Sequence, residues 1–360
     1  MPESIKSIAN ALGDPRLYFL LTVGLLFSYY GFRKTLTKPA VFAGFMAGGV
    51  LFFFAGLSDH NFALIALKPD NVPIAFMLVL VAFFTWLSLR RAVINDELRK
   101  RGEPNLEEQV ARQKVFTWPD LVFSELICLL VVGVILVVWS IYLKAPLEEP
   151  AAPAVSPNPA KAPWYFLGLQ EMLVYFDPWL AGVVFPSLII VGLQAIPYID
   201  RNPKGNGYYT FEERPFAILT FQFGFIVLWV SLVILGTFLR GPNWAFFGPF
   251  EYWNPGKLEP LINVDLSELF WVYGLRQPLP DFWLIRELPG ILLLLAYFGI
   301  LPIVLAKTVF RRMYIEIGFA RYQVMSQLFL FMALLPIKML LRWAFNLKYL
   351  VHINEFFLNI

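Results

Sequence analysis

Cysteine and histidine are scarce in this chain of 360 residues. It has one cysteine, Cys128, and two histidines, His60 and His352. A single thiol excludes an internal disulfide, a four-thiolate iron–sulfur cluster and a Cys-x-x-Cys-His haem attachment site. Because each histidine stands alone, both are interpreted as ordinary loop or surface residues, and no metal site is predicted.

Charge is scarce as well. Only 15% of the residues are charged, 58% are hydrophobic, and the mean hydropathy is +0.63. A soluble domain carries about 25% charged residues. The apolar runs are continuous rather than alternating, which excludes membrane β-strands. The net charge of +3 comes without a basic cluster, so no nucleic-acid surface is expected. The predicted fold class is all-α, a polytopic helical membrane protein.

Eight apolar runs predict about eight transmembrane helices, with a short helix on the outer surface in addition. The last run contains Lys338 and Arg342, so an end near Pro336, followed by an amphipathic surface tail, is the alternative for this segment. The predicted spans are 16–32, 39–57, 72–89, 119–143, 178–199, 215–239, 288–309 and 322–345.

The loops between these runs differ in basic charge. If the loop after the third run is cytoplasmic, 17 of the 29 Lys and Arg residues fall in short loops on that side. The positive-inside rule therefore predicts a cytoplasmic (inner) membrane protein with both termini on the outer, periplasmic side.

The runs and loops divide the chain into five predicted regions. The loop 241–287 is long and aromatic, so we expect it to pack on a partner subunit or at the lipid surface. The regions are a three-span N-terminal extension (1–92), a charged cytoplasmic loop (93–116), a central three-span region (117–240), the aromatic outer loop (241–287) and a C-terminal two-span region (288–360).

Several motifs follow one another in the central region. Trp118-Pro119-Asp120-Leu121 opens a span, a Pro-rich stretch leads to Pro163-Trp164-Tyr165-Phe166, and Ile196-Pro197-Tyr198-Ile199 and Arg214-Pro215 bound the next turn. In this order they resemble the C-terminal half of cytochrome b, in the form of subunit IV of cytochrome b6f complexes, over about residues 117–240. The tetrapeptide ending at Phe166 is similar to the family's Pro-Glu-Trp-Tyr motif, but its glutamate is missing.

The resemblance implies a divided cytochrome b. The haem-binding half of that family needs four histidines, and this chain has two. It implies a haem-free subunit of a (mena)quinol:cytochrome c oxidoreductase, with quinone or menaquinone bound at a subunit interface and haems b only on a partner chain. The implied partners are a cytochrome b N-terminal-type subunit with bis-His haems, iron–sulfur or c-type cytochrome subunits, and membrane lipid.

Quinol oxidation on the outer side requires a proton acceptor, which the family's motif glutamate provides. Glu171 lies seven residues after Trp164, which places both on one face of a helix. A carboxylate among leucines at the membrane boundary favours its protonated form, which suits a proton acceptor. The alternative is a cap or an ion pair with a partner's arginine.

For each of the other candidate site residues, the sequence allows both a functional role and a structural one. We expect Pro163, Trp164, Tyr165 and Phe166 to contact the quinone, with Tyr165 as hydrogen-bond partner; interfacial anchoring of Tyr165 and packing of Trp164 are the alternatives. For Asp120, at the start of the fourth span, the resemblance suggests proton uptake at an inner site, and Glu125 is a candidate for the same role because a carboxylate deeper in a span is costly unless it faces a pocket. A helix-start role for Asp120 and an inter-subunit contact for Glu125 are the alternatives.

Two other functions remain open from the residues alone. One is a quinone-binding integral subunit of another respiratory complex, similar to alternative complex III. The other is a non-redox membrane scaffold or a transporter, although no internal repeat supports a transporter.

Overall fold

The computed structural model describes residues 1–111, 113–145, 150, 152–154, 156–201, 209–260 and 262–360. Within these residues almost all regular structure is helical, which confirms the all-α prediction. The strands described are His352–Ile353 and Leu358–Asn359, which form one antiparallel pair. Arg112, Glu149 and Lys204, which contribute to the loop charges and the Pro-rich motif, lie outside the described residues.

Seven helices in the described part are long and apolar enough to cross a membrane. The predicted first span forms the helix Pro15–Gly31, which has 17 residues. Such a helix rises about 26 Å, close to the roughly 27 Å of the 18-residue helix Pro39–Gly56, so seven of the about eight predicted spans are candidates and the first run forms a slightly shorter helix. The seven are Pro39–Gly56, Val72–Lys100, Thr117–Tyr142, Leu180–Ile199, Pro215–Leu239, Leu288–Lys307 and Phe319–Phe345.

The last of these helices continues through Pro336 to Phe345, so the alternative of an end near Pro336 is wrong. Lys338, whose charge suggested that end, is fully buried, and its Nζ donates to the carbonyl of Lys348 at 2.5 Å. A buried ammonium with a hydrogen-bond acceptor is tolerated inside a helical segment.

Proline begins many of these helices, because its fixed φ suits the first turn and its missing N–H would be unpaired there anyway. Pro15, Pro39 and Pro215 are the first residues of their helices. Before Pro15, the Asp14 carboxylate accepts from the amides of Arg16 and Leu17 and so caps the helix.

Shorter elements connect the spans. The short α-helices are Glu3–Leu12, Arg33–Leu36, His60–Ala66, Leu106–Val110, Trp164–Met172, Leu266–Glu268, Trp283–Arg286 and Arg311–Ile317. The 3₁₀ turns are Pro242–Trp244 and Asn354–Phe356. Stretches of π-helix are Thr117–Leu121, Leu180–Val184, Phe223–Val230, Leu235–Leu239, Leu269–Gly274 and Ala296–Ile300.

The chain forms two compact units. The first comprises residues 1–160, 204–223 and 237–255. Its polar core is formed by Asn95, whose Nδ2 donates to Glu107 and to the carbonyl of Tyr209 and whose Oδ1 accepts from the amide of Leu106. The helix Thr117–Tyr142 also belongs to this unit, and none of its residues is buried.

The second unit comprises residues 161–203, 224–236 and 256–360. Its C-terminal helix, Phe319–Phe345, packs on the helix Leu180–Ile199, where the guanidinium of Arg321 donates to the carbonyl of Tyr198 at 2.9 Å. It also packs on the helix Leu288–Lys307, where the Tyr322 hydroxyl donates to the carbonyl of Pro302 at 2.7 Å. The short helix Trp164–Met172, which carries most of the predicted site residues, belongs to the same unit and packs on the segments Leu180–Val184 and Ser231–Ile234.

Candidate functional site

The helix Trp164–Met172, called the site helix below, starts directly after a proline. Pro163 is the residue before its first turn and has extended backbone angles, φ −52° and ψ 149°. The amide of Ala162 donates to the side-chain Oε1 of Gln170 at 2.8 Å, which ties the incoming chain to the last turn of the helix. The aromatic block therefore sits on a helix whose start and end are connected.

The site helix has a buried face and an exposed face. Leu167, Gly168, Glu171 and Met172 are buried. Tyr165 and Phe166 are 49% and 51% exposed, with ring centroids 4.7 Å apart. The structure therefore brings Glu171 and the exposed aromatic pair onto one helix but not onto one face.

Two glycines bring the site helix close to the helix Pro215–Leu239. A Cβ added at Gly168 would meet the side chains of Trp229 and Val233 at 3.6 Å, and one added at Gly236 would meet the carbonyl oxygen of Leu167 at 3.3 Å. The ring of Trp164 lies edge-on to Trp229, with centroids 6.2 Å apart. Packing at this distance fixes the site helix against its neighbour within the second unit.

Glu171 is fully buried, with 0% of its surface exposed. The hydroxyl of Tyr175 donates to its Oε1 at 3.4 Å. Since burial of a carboxylate is costly without hydrogen-bond partners, the tyrosine contributes to keeping the group inside. Neither Glu171 nor Tyr175 faces solvent, so the carboxylate lies in a water-poor environment.

The residues after the site helix, Leu173 to Asp177, form a turn that we call the site corner. Tyr175 and Phe176 are fully buried in it. Lys348 reaches this corner, and its burial lowers its pKa, an effect to which the charge of Arg342 adds. The corner thus joins the buried carboxylate to basic residues far along the chain.

The loop before the site helix is anchored within the first unit. The amide of Asn243 donates to Oδ1 of Asn158 at 2.6 Å, and Nδ2 of Asn158 donates to Oδ1 of Asn243 at 2.8 Å. Asn243 has a positive φ of 57°, a conformation that asparagine tolerates better than most residues. The reciprocal pair fastens the end of the Pro-rich loop to the turn that follows Arg240.

Asp120 and Glu125 are exposed, and both lie in the first unit at the start of the helix Thr117–Tyr142. The start of this helix carries no side-chain cap, so Asp120 does not act as the N-cap, but it lies in the first turn, in agreement with the helix-start alternative. The carbonyl of Asp120 accepts from the Ser124 hydroxyl at 2.9 Å. The two carboxylates are therefore available to a partner molecule rather than used within the described part of the unit.

Comparison with known families agrees with the motif order. Residues 150–250 match the family model Cytochrome b(C-terminal)/b6/petD. The chain carries a cytochrome b C-terminal region. Together with the seven candidate membrane-spanning helices, this region indicates a multi-pass membrane protein. Its type is that of a subunit of an electron-transport complex. No solved structure matches the chain.

The cytochrome b C-terminal region includes the site helix and the site corner, but it does not extend to every predicted site residue. The motif-based resemblance begins at about residue 117, whereas the match begins at residue 150 and ends at residue 250. Asp120 and Glu125 precede the matched residues, and the C-terminal helix follows them. The site predictions at these two carboxylates rest on the motif alone.

Three contacts of the site were not predicted. Tyr175 lies four residues after Glu171, and this spacing is a signal in the sequence, because such residues are neighbours on a helix surface. The packing of Gly168 and Gly236 has a weaker signal, since small residues often mark close helix contacts in membranes. Lys348 has none, because it is 175 residues from Leu173.

Proposed function

We propose that this chain is a haem-free membrane subunit of a (mena)quinol:cytochrome c oxidoreductase and that its site helix forms part of the outer-side quinol oxidation site. The observation that carries the proposal is the fully buried carboxylate of Glu171 on the aromatic helix of a cytochrome b C-terminal region. A carboxylate in this position replaces the glutamate that is missing before Trp164.

The chemistry divides between the two faces of the site helix. Tyr165 and Phe166 offer an exposed aromatic surface against which a quinol ring packs. Oxidation of the quinol to the quinone releases two protons and two electrons. Glu171, whose carboxylate accepts from the Tyr175 hydroxyl at 3.4 Å, takes one of these protons, and the other leaves to the outer aqueous side. Pro163 and Trp164 shape the start of the slot.

The electrons leave on other chains. Bis-histidine haem ligation needs two histidines for each haem, and this chain has His60 and His352 only. Nδ1 of His352 lies 2.5 Å from the Asp265 carboxylate and is held there as an ion pair or hydrogen bond. Haems b are therefore assigned to a cytochrome b N-terminal-type partner, with iron–sulfur or c-type cytochrome subunits as the acceptors beyond it.

The inner side of the membrane has its own candidate groups. Asp120 and Glu125 are exposed on a helix that has no buried residue. A carboxylate in an apolar membrane segment is costly unless it faces a pocket or partner. We assign them to proton uptake at an inner quinone site completed by the partner chain, with the cytoplasm on that side and both termini outside. Replacing both by Asn and Gln should slow re-oxidation of the partner's haem by quinone at the inner site; an unchanged rate would remove this role.

The main test is the substitution Glu171→Gln in the assembled complex. The amide keeps the shape and the contact with Tyr175 but cannot take a proton, so quinol-dependent cytochrome reduction should fall by about 10²-fold or more. Haem content and subunit composition should stay as in the unmodified complex. An equivalent rate in the Gln variant would refute the catalytic role.

A matched control is Glu103→Gln, which changes an exposed carboxylate in the charged loop of the first unit. This variant should retain the full rate of cytochrome reduction. If both variants lose activity equally, the loss reflects general charge or assembly rather than proton acceptance at Glu171.

A further inference from the structure

A lysine from the C-terminal part of the chain caps the end of the site helix. Nζ of Lys348 donates to the carbonyl oxygens of Leu173, at 3.2 Å, and Val174, at 3.3 Å. Leu173 is the C-cap residue of the site helix and Val174 is the residue after it, and a cation at this end of a helix is favourable for the helix dipole. Lys348 thus satisfies two backbone groups at the point where the site helix becomes the site corner.

Other residues of the same C-terminal part contact the rest of the corner. The ring of Trp343 lies edge-on to Tyr175, with centroids 6.1 Å apart. Nζ of Lys338 is 5.5 Å from the ring centroid of Phe176, and the Asn359 amide donates to the Asp177 carboxylate at 3.1 Å. Every residue from 173 to 177 therefore has a partner between 338 and 359.

The backbone that carries Lys348 is itself held on both sides. Its amide donates to the carbonyl of Val264 at 2.8 Å, and its carbonyl accepts from Nζ of Lys338 at 2.5 Å. The carbonyl of the next residue, Tyr349, accepts from the amide of Leu266 at 2.9 Å. Because its backbone is held in this way, the Lys348 side chain can fix the position of the C-terminal end of the site helix.

The corner determines the geometry of the buried carboxylate. Tyr175, which donates to Glu171, is one of the five corner residues, and Glu171 itself is two residues before Leu173. A shift of the corner would therefore change the distance between the tyrosine hydroxyl and the carboxylate. It would leave the exposed pair Tyr165 and Phe166, one helical turn or more away, nearly unchanged.

We infer that Lys348 is a positioning residue for Glu171: by capping the site helix it fixes the proton acceptor, although it lies outside the cytochrome b C-terminal region. This inference rests on the proposed function. It assigns residues 338–359 a role inside this chain's own site, in addition to any contact with accessory subunits.

The test compares Lys348→Met and Lys348→Arg in the assembled complex, with kcat expressed per complex that retains its haem. The Met variant should lower kcat by about tenfold and change KM for quinol by less than twofold, because a misplaced acceptor slows the chemistry while the aromatic surface still binds. The Arg variant, which keeps a cationic donor, should recover at least half of the rate. Lys144→Met, at an exposed lysine of the first unit, should have no effect.

A second readout does not depend on activity. In a Cys128→Ser background, a cysteine replacing the buried Met172 should react slowly with a maleimide, and Lys348→Met should raise that rate several-fold. If the labelling rate and kcat are both unchanged by Lys348→Met while Glu171→Gln is inactive, the inference is overturned and the proposed function stands. If Glu171→Gln is fully active but labelling rises, the cap is real and the proposed function fails.

Discussion

The substitution Gly290→Ala should push the start of the helix Leu288–Lys307 away from the segment that contains Leu350 and Val351. Gly290 is buried near the start of the helix Leu288–Lys307. A Cβ built there would lie 1.9 Å from the carbonyl oxygen of Leu350 and 2.9 Å from Cγ2 of Val351. Real Cβ atoms essentially never come closer than 3.0 Å to another atom, so Gly290→Ala requires a movement of more than an ångström.

The cost of that movement can be bounded. Overpacking of a core costs about 1–3 kcal/mol, and the upper end applies here because the opposing atom belongs to the backbone and cannot rotate away. Since 1 kcal/mol corresponds to about 2–4 °C for a domain of this size, Tm should fall by roughly 6–12 °C. Thermal unfolding in mild detergent, followed by tryptophan fluorescence, measures this shift.

The same helix supplies the control. A Cβ at Gly299 would meet no atom within 4 Å. Gly299→Ala should therefore leave Tm unchanged or raise it slightly, since alanine favours a helix over glycine by up to about 1 kcal/mol. A difference of 1 kcal/mol in the free energy of unfolding shifts Tm by about 2 °C or more. If the Tm values of the two variants differ by less than that, Gly290 does not approach Leu350 closely in the folded protein, and the reasoning is refuted.

Two further predictions concern the first unit. Asn95→Ala leaves the amide of Leu106 and the carbonyl of Tyr209 without their buried partner, so the free energy of unfolding should fall by about 2–4 kcal/mol. The control Gln113→Ala, at an exposed side chain, should leave Tm unchanged. The hydrogen bond from Lys6 lowers the pKa of Asp59 below 3.8 and raises that of Lys6 above 10.5. The contribution of Asp59 to folding stability is therefore present above pH 3.8 and is lost as the pH falls through its lower folded pKa. The contribution of Lys6 to folding stability is present below pH 10.5 and is lost as the pH rises through its higher folded pKa. A spin label at Ser7 should be equally immobile between those limits and become mobile in stronger acid, whereas in Asp59→Asn it should be mobile throughout.

The membrane helices were largely predictable because their signal is local. An apolar run of about 20 residues already determines a helix, and a proline at its first turn fixes where it begins. The motif order around Trp164 likewise predicted the cytochrome b C-terminal region that the family match confirms. The sequence was less decisive at two places: the run at 16–32 forms the 17-residue helix Pro15–Gly31, and the helix through Pro336 continues to Phe345 although Lys338 and Arg342 suggested an earlier end.

The environment of the site was less predictable. Period 3.6 indicates which residues of the site helix share a face, but it does not say which face is buried, because the helix is apolar on several sides. That choice depends on Gly168 and Gly236, which allow another helix to approach. The cap by Lys348 depends on a contact across 175 residues, and no pattern in the sequence joins its two ends.

The distance along the chain between the site helix and its cap has a consequence for biosynthesis. At about 5–20 residues per second, a ribosome needs roughly 10–35 s to reach Lys348 after it has made Leu173. During that interval the carbonyls at the end of the site helix lack their cation, and Tyr175 lacks the neighbouring Trp343. The cap at Leu173 can therefore form only after the C-terminal helix has been made, so a prematurely terminated chain carries the aromatic motif without the contacts of the site corner.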